Sequence, residues 1–412
     1  MATGNPPVDV NVASAPNDIG AVPRLVKELQ DGLASLADGG HAARHELLIK
    51  ARTLTQALET PRETMVKHCW GQTGALAGLN FGVDCGLWKL MAENGDGPQK
   101  VDDLAPKLGV DPALLARLLR HLGAMGYVKE TGPNEYATTN FTKSMSIPII
   151  GNGYLAMTSC TGAAPLRFHE YSRERGYKNP TDAKDTSLMH AVGTDMDMFA
   201  YQQSKGYGTH FNHHMGGYRL GRPSWVSFFP VKEQLIDGAE TSADAPFLVD
   251  IGGSVGHDLL ELKKHYPSYP GKLILQDLPV VIGQITDLDE SIERVSYNFH
   301  DEQPNKGARA YYLHSILHDW PDDVCKSILG RVKEAMKPGY SKLLINENVL
   351  PNTGAWWETS ALDMVMLTLF SSKERTEADW HYLVEELAGL KIVKIWSAGN
   401  GIESLIEVER VE

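Results

Sequence analysis

Three residues that lie far apart in the chain have side chains suited to moving a proton: His318, Glu347 and Glu374. His318 follows a β-rich run that begins at Arg309, which places its imidazole near the end of a strand. A histidine is the right base for a phenolic hydroxyl at neutral pH, because its pKa lies near the working range. The sequence therefore predicts acid–base chemistry centred on His318.

The two glutamates are predicted to reach the same place. Glu347 ends the next β-rich run along the chain, and neighbouring strands lie only about 4.8 Å apart. Glu374 lies in a loop just before a helix that Thr376 opens, with Asp379 three positions further on. Taken singly, each residue has a simpler interpretation as a strand-end cap, half of a surface ion pair or a solvated loop charge.

A glycine-rich turn follows the first strand of this half of the chain. It reads Gly252-Gly253-Ser254-Val255-Gly256 and leads into a helix, so main-chain amides at a helix N-terminus would face a closely approaching ligand. A dinucleotide site has glycines at the first, third and sixth places, whereas the sixth place here is His257. The register of a dinucleotide site is therefore missing from this turn, which follows Asp250 at the end of the preceding strand.

Two further strand ends carry polar residues. Asp277 and Leu278 follow the second strand, and the Asp277 carboxylate can accept hydrogen bonds from both hydroxyls of a ribose. A carboxylate in this place can also cap the next helix, but the glycine turn favours the ribose role. His300 and Asp301 follow the third expected strand and are predicted to meet the adenine ring and its edge.

The elements that position these residues alternate regularly. From Ala245 onward, short β-rich runs alternate with amphipathic helices, which indicates a parallel sheet with helices on both faces. Ligands of such α/β folds bind beyond the carboxyl ends of the strands. Upstream, the region from Val101 to Thr139 has the pattern helix, helix, hairpin, which is typical of a winged helix. Its second helix has a leucine-rich face and few cations, which favours packing or dimerisation over DNA binding.

Six motifs in one order resemble a known family. They are DIGGSVG from Asp250, QDLP from Gln276, HDW from His318, INE from Ile345, DMVM from Asp363 and KERT from Lys373. The chain resembles the plant caffeic acid type of O-methyltransferase and, more closely, its fungal natural-product relatives. The resemblance covers nearly everything after residue 60, including the winged helix.

The resemblance implies an α/β fold, in which a Rossmann-like methyltransferase domain follows an N-terminal helical winged-helix dimerisation domain. The expected organisation is a mobile tail over 1–20, N-terminal helices over 21–60, the winged-helix dimerisation domain over 61–150, a helical substrate-pocket segment over 151–235 and the Rossmann-like catalytic domain over 236–412. It also implies a homodimer, to which the apolar segment from Met65 to Met91 would contribute.

By the same resemblance, the methyl donor is S-adenosylmethionine and the acceptor is a hydroxyl of an aromatic or polyketide-like small molecule. His318 would deprotonate that hydroxyl, while Glu347 and Glu374 orient the imidazole. The cofactor would contact Asp250, Gly252, Gly253, Asp277, Leu278, His300, Asp301, His314 and Trp320. His314 stands where relatives have a basic residue, and Glu302 replaces the usual aromatic residue after Asp301.

The resemblance implies no catalytic metal. One rival set, His210 and His214 on one helical face, lacks an evident third ligand for zinc. Two rival functions remain beside methyl transfer. The first is a pericyclase or isomerase that keeps the fold and the cofactor without methylating, and the second is a winged-helix DNA-binding protein.

Composition narrows these alternatives. The 412 residues are 42% hydrophobic and 22% charged, as in folded globular proteins. The 39 Lys and Arg against 52 Asp and Glu give a net charge of -13, which disfavours binding to nucleic acid or to an anionic membrane. The four cysteines are widely spaced and no run is long and apolar enough to span a bilayer, so we expect a cytoplasmic protein with free thiols.

Overall fold

The structure is a computed structural model that describes residues 8–36, 39–399 and 401–411. The chain forms two compact units, one ending at Ile147 and the other beginning at Pro148. Within the described ranges, no helix combines the length and the apolar character that crossing a membrane requires. All four cysteines are free thiols.

The first unit begins with helices. Their bounds are α1 Val22–Leu36, α2 Gly40–Leu58, α3 Pro61–Val66, α4 Thr73–Asp84 and α5 Leu87–Glu93, with a π-helical turn Lys67–Gln72 joining α3 to α4. As predicted, the helical pattern from Leu25 to Leu58 is broken before Gly40, where α2 begins.

The segment predicted as a mobile tail over 1–20 has local structure in the part that the structure describes. Residues 8–20 contain the 3₁₀ turn Val10–Ser14 and the start of a second, Ile19–Ala21. The main-chain amides of Asn17 and Asp18 donate to carbonyls at the end of α2, at 3.1 and 3.0 Å. These hydrogen bonds attach the segment to α2, whereas residues 1–7 lie outside the described residues.

The rest of the first unit has the helix, helix, hairpin order that the sequence predicts. Its bounds are α6 Val101–Leu108, α7 Pro112–Ala124, β2 Val128–Gly132, β3 Glu135–Thr138 and α8 Asn140–Ser144, with β1 Gln99–Lys100 added at the edge. The three strands pair antiparallel in the order β1-β3-β2. Asp111 caps α7 by accepting the Leu114 amide, and Leu115, Leu119 and Leu122 are buried.

The second unit opens with five helices that precede its sheet. They are α9 Pro148–Thr161, α10 Phe168–Glu174, α11 Ser187–Val192, α12 Met198–Ser204 and α13 Gly208–Tyr218. Glycines allow α9 and α13 to pack closely, since a methyl group on Gly217 would lie 2.1 Å from the carbonyl oxygen of Ile149. This helical region corresponds to the segment predicted over 151–235.

A seven-stranded sheet forms the centre of the second unit, with the order β11-β12-β8-β7-β4-β5-β6. The strands are β4 Pro246–Ile251, β5 Lys272–Asp277, β6 Ile292–Ser296, β7 Ala310–His314, β8 Lys342–Glu347, β11 Lys391–Ser397 and β12 Ser404–Glu409. The strands from β4 to β8 are parallel, and β12 joins β8 antiparallel. The strand order reverses between β4 and β7, which is where ligands of such sheets bind.

Helices cover both faces of the sheet, as a Rossmann-like fold requires. They are α14 His257–His265, α15 Pro279–Ile282, α16 Asp322–Ala335, α17 Trp357–Phe370 and α18 Glu377–His381. Alternate residues of β4 enter opposite cores: Val249 and Ile251 pack with α16, while Leu248 packs with α14. The near-continuous apolar run of β4 is thus explained by burial on two faces.

A short parallel pair brings the distant KERT motif to the sheet. β9 Val349–Leu350 follows β8 almost directly, and β10 Arg375–Thr376 pairs with it in the register Arg375 opposite Val349. His314 at the end of β7 lies opposite Asn346 of β8. These two registers place Glu347, the turn after His314 and Glu374 at one edge of the sheet.

Candidate active site

The glycine turn after β4 has no room for side chains. A methyl group on Gly252 would lie 2.5 Å from Cδ1 of Ile316, and one on Gly253 would lie 2.3 Å from Oδ2 of Asp250. Gly252 also has a φ of +73°, which favours glycine. The turn therefore packs directly against the segment that carries His318. Contrary to the expectation that its main-chain amides face a ligand, the amides of Gly252 and Gly253 donate to the carbonyl of Gln276 at 2.7 and 3.2 Å.

Asp277 closes the other side of this turn. Its Oδ2 accepts the Ser254 amide at 2.8 Å and its Oδ1 accepts the Leu278 amide at 2.7 Å. Burial raises the pKa of Asp277 above its usual range despite these hydrogen bonds. Each oxygen retains a second acceptor position, so the carboxylate can still receive ribose hydroxyls. The neighbouring Leu278 side chain is 43% exposed and offers an apolar surface at the same edge.

Asp250 is fully buried, and neither carboxyl oxygen has a hydrogen-bond partner among the residues that the structure describes. Burial, together with the negative charge of Asp258, raises the pKa of Asp250 well above its usual range. A neutral carboxyl group in this place avoids the cost of an isolated buried charge and can donate as well as accept a hydrogen bond. An unpaired group beneath a glycine turn indicates a place for a polar ligand.

Glu302 stands where relatives usually have an aromatic residue, and three other aromatic rings form a cluster. The ring of His300 meets Trp320 edge-to-face with centroids 5.2 Å apart, and Phe299 meets both rings at 4.8 and 6.0 Å. The sequence-based prediction did not include Phe299, although its position next to His300 could have indicated that it contributes to this cluster. The Asp301 residue is exposed, and its carbonyl accepts the hydroxyl of Tyr297.

His318 lies in the 3₁₀ turn Leu317–Asp319 immediately after β7. Its Nδ1–H donates to Oε1 of Glu374 at 2.7 Å, and Oε2 of Glu347 lies 3.6 Å from the same nitrogen. Nε2 points away from both glutamates and has Oδ1 of Asp319 at 3.6 Å. The structure therefore brings the three predicted residues together and leaves Nε2 as the nitrogen that can meet a substrate hydroxyl.

Glu347 holds the main chain of this turn as well as facing the ring. Its Oε1 accepts the amides of Ile316 and Leu317 at 2.9 and 2.8 Å, and the amide of His318 at 3.4 Å. A buried carboxylate that accepts several amides is a strong local constraint, because charge-assisted hydrogen bonds are the stronger ones. Glu347 thus fixes the main chain from which the His318 side chain extends, and Glu374 fixes the orientation of the imidazole ring.

Two positioning residues escaped the sequence-based prediction. Oδ1 of Asp363 accepts the amide of Glu374 at 2.8 Å. The buried guanidinium of Arg375 donates to the carbonyls of Leu317 and Trp320 at 2.8 and 3.0 Å, which ties the KERT segment to the turn. Both lie in motifs that the sequence analysis noted, DMVM and KERT, but nothing in the motifs indicated their partners.

The charges around His318 favour the protonated ring. Burial opposes a charged imidazole, but the carboxylates of Glu347, Glu374 and Asp319 outweigh it and raise the pKa of His318 well above its usual range. Burial likewise raises the pKa of Glu347. These carboxylates therefore favour the protonated ring over its basic form.

His314 lies at the end of β7, with both ring nitrogens engaged by protein carboxylates. Nδ1–H donates to Asp258 at 2.8 Å and Nε2–H donates to Glu403 at 3.2 Å. Arg219 also pairs with Asp258, and Arg222 lies 3.8 Å from Glu403. Burial opposes the charge on His314, but the two carboxylates raise its pKa to about 10. The residue is therefore a cation, as relatives have here, and the cofactor contact predicted for it stays a prediction.

The histidines of α13 belong to no group of three closely spaced His, Cys, Asp or Glu ligand atoms among the described residues. Nδ1 of His213 hydrogen-bonds with Asn152, and burial lowers the pKa of His214. One group of residues has three ligand atoms within 4.8 Å of one another, and it is His318, Glu347 and Glu374. There the hydrogen bond from Nδ1 to Glu374 already joins two of the three side chains.

Comparison with known proteins agrees with this fold. Residues 233–391 match the family model described as an O-methyltransferase domain. The O-methyltransferase mfmE of Annulohypoxylon moriforme is 35% identical over 387 residues, which cover 93% of this chain and 95% of that protein. The Rossmann-like unit thus defines a class I methyltransferase, and this chain belongs to the O-methyltransferase family.

Two solved structures resemble the chain over nearly its whole length. OxaC in complex with sinefungin and meleagrin superposes with a TM-score of 0.86 at 26% identity, covering 95% of this chain and 99% of OxaC. LepI in complex with S-adenosylmethionine superposes with a TM-score of 0.84 at 29% identity, with the same shares of the two chains.

The first prediction concerns Ser254, a non-glycine residue that occupies a left-handed conformation with a φ of +54°. Ser254→Gly should raise the free energy of unfolding by about 1 kcal/mol, because a non-glycine residue in this conformation is strained. Ser360→Gly, at an exposed position within α17, should instead lower it by about 0.5–1 kcal/mol. Denaturant unfolding of both variants measures the difference, and a destabilised Ser254→Gly would contradict the strain argument.

The second prediction concerns the charge on His314. His314→Gln should lower the free energy of unfolding at pH 7 by about 3–5 kcal/mol, because Asp258 and Glu403 lose the cation between them. The folded-state pKa of about 10 exceeds the ordinary value, so the stabilisation is complete below the ordinary pKa and is lost as pH rises through about 10. Wild type and variant should therefore converge between pH 7 and pH 10 in denaturant unfolding.

The control for this experiment is His265→Gln at the exposed end of α14, which should change little at either pH. A difference between wild type and His314→Gln that stays constant with pH would show that the ring is not charged in the folded protein.

Proposed function

We propose that this chain transfers a methyl group from S-adenosylmethionine to a phenolic or enolic hydroxyl of an aromatic or polyketide-like small molecule, with His318 as general base. The observation that carries the proposal is the orientation of the His318 ring. Nδ1 is held by Glu374 at 2.7 Å, and Nε2 is left free of both glutamates, with Oδ1 of Asp319 at 3.6 Å. The packing of Ile316 against Gly252 supports a donor site directly next to this base.

The residues of the glycine turn fit an adenosyl cofactor. The missing side chains at Gly252 and Gly253 allow a ligand to approach the main chain closely, and the unpaired Asp250 carboxyl group beneath them is matched to a polar ligand group. Asp277 retains acceptor positions for a ribose, and the cluster of His300 and Trp320 offers aromatic surface for adenine. When bound, the cofactor supplies an electrophilic methyl group on a sulfonium.

The chain's own residues have two tasks in this reaction. They hold the acceptor oxygen in line with the methyl group, and they take up its proton at Nε2 of His318. Positioning can contribute about 7–11 kcal/mol, whereas a general base adds about 10²–10⁴-fold to the rate. The rigid attachment of the turn by Glu347 and Arg375 serves the larger of these two effects.

The partner and the compartment belong to the same proposal. We propose a homodimer formed through the first unit, because its helices expose large apolar side chains: Trp70 is 70% exposed and Met65 55% exposed. The four free cysteines support a reducing, cytoplasmic setting.

The third prediction tests the reaction itself. The purified protein, supplied with S-adenosylmethionine and a panel of phenolic and polyketide acceptors, should form a product heavier by one CH₂ and release S-adenosylhomocysteine, as measured by mass spectrometry. His318→Gln should lower turnover by about 10²–10⁴-fold and leave cofactor affinity, measured by calorimetry, within about twofold of wild type.

His381→Gln, a substitution in α18, is the matched control and should retain full turnover. A wild-type product of unchanged mass would indicate a rearrangement in place of methylation. Full activity of His318→Gln would remove this residue from the mechanism.

The fourth prediction concerns pH. Because the pKa of His318 is raised and the base must be neutral, kcat/KM should rise with pH on the alkaline side of neutrality. Glu374→Gln removes one of the charges that raise this pKa, so its rising limb should move to lower pH, and its plateau should be lower. Glu377→Gln, an exposed position three residues away, should leave the profile unchanged.

These profiles are measured with one acceptor for all variants, so the acceptor's own titration cancels in the comparison. An unchanged limb in Glu374→Gln would contradict the role of this carboxylate in setting the protonation of His318.

A further inference from the structure

The two nitrogens of the His318 ring have different surroundings. Nδ1 faces Glu374 and Glu347, whose side chains are 1% and 0% exposed. Nε2 faces one carboxylate, that of Asp319, at 3.6 Å. The proton of a substrate hydroxyl therefore arrives at Nε2, on the side of the ring opposite the two buried glutamates.

A proton taken up at this position must leave before the next turnover. The ring itself is only 8% exposed, and the buried pair on its other side offers no path to water. The same carboxylates that make His318 a stronger base also slow the loss of its proton, because they stabilise the imidazolium. Turnover at this site thus requires an acceptor that contacts both Nε2 and solvent.

Asp319 meets both requirements. Its side chain is 12% exposed, which makes it the most accessible carboxylate of the cluster. Its carboxylate makes no side-chain hydrogen bond within the described ranges, unlike that of Glu347, which three amides hold. The gap of 3.6 Å to Nε2 can be closed by a small rotation or by one water molecule.

The acidity of Asp319 suits a proton carrier. Burial raises its pKa to about 7, although the positive charge of His318 opposes this shift and Glu347 and Glu374 add to it. A group of this acidity can accept a proton from an imidazolium and return it to water near neutral pH.

We propose that Asp319 carries the proton released in each turnover from Nε2 of His318 to solvent. This inference rests on the proposed function. The substrate O–H bond breaks as its proton moves to Nε2, and the oxygen electron pair forms the new bond to the methyl carbon. The bond from that carbon to sulfur breaks with its electron pair remaining on sulfur. The Nε2–H bond then breaks, the proton passes to Oδ1 of Asp319, and a water molecule or buffer base removes it.

The fifth prediction uses Asp319→Asn, which keeps the shape of the side chain but cannot carry a proton in this way. Under saturating substrates its kcat should fall on the order of tenfold, while the first turnover, measured by rapid quench, keeps its wild-type rate. A burst of one methylated product per site should therefore precede a slow steady state. The dissociation constants for acceptor and cofactor should stay within about twofold of wild type, and the KM for the acceptor should fall together with kcat, because a step after the chemistry limits turnover.

Small proton carriers provide a readout that a structural role would not move. Added imidazole or phosphate, at constant ionic strength and pH, should restore kcat of Asp319→Asn progressively and leave the wild type unaffected. Asp319→Glu, which retains a carboxylate, should keep most of its activity. Asp323→Asn, a nearby exposed position, is the matched control and should behave as wild type.

Three results would overturn the inference: an unchanged kcat in Asp319→Asn, a loss that added carriers do not restore, or a slowed first turnover without a burst. If Asp319→Asn is unfolded by circular dichroism, Asp319→Glu and the carrier dependence of wild type at low buffer concentration decide the question. A wild type that forms no methylated product contradicts the proposed function itself and is recognised before any variant is compared.

Discussion

The site depends on one buried carboxylate that holds a turn of main chain. Oε1 of Glu347 accepts amides from the turn that carries His318, and it does so at the end of the strand beside the one that leads into the turn. A carboxylate without solvent must find donors inside the protein, and the first amides of a tight turn provide them. The position of the imidazole therefore follows from the pairing of two strands in the sheet.

The imidazole rings of His314 and His318 both lie among buried carboxylates at this edge of the sheet, but they are held differently. His314 donates to a carboxylate on each side and is permanently engaged, whereas His318 is held on one side only. Both rings are favoured in their protonated form by neighbouring carboxylates, so the difference between them lies in access. A ring with both nitrogens occupied stabilises the fold, and a ring with one nitrogen left toward the cleft can exchange a proton.

The raised pKa of His318 has opposing effects on catalysis. It makes the ring a stronger base, but it lowers the fraction of molecules in which the ring is neutral. The arrangement therefore stabilises the imidazolium that forms during methyl transfer. The same arrangement leaves a smaller fraction of the resting protein with a neutral His318 ring. The site must then also release that proton, and Asp319 is the accessible carboxylate next to the ring.

Local patterns account for much of what the sequence predicted. Apolar runs bounded by glycines and prolines mark the strands, and the parallel order of those strands implies that Asp277, His318 and Glu347 meet at one edge, as they do. The glycine turn was readable for the same reason, because its residues are consecutive. The partners of His314 were not, since Asp258 and Glu403 lie 56 and 89 residues away from it.

By itself, the sequence determined the fold class and the glycine turn, because each depends on consecutive residues or on alternating runs, whereas the resemblance to a family indicated His318, Glu347 and Glu374 as the candidate base and its two carboxylates. Only the tertiary structure decided which nitrogen of His318 is open, that Arg375 and Asp363 brace the turn, and that Phe299 completes an aromatic cluster. Those features depend on side-chain directions among segments that fold together from distant parts of the chain, and no local pattern encodes such directions.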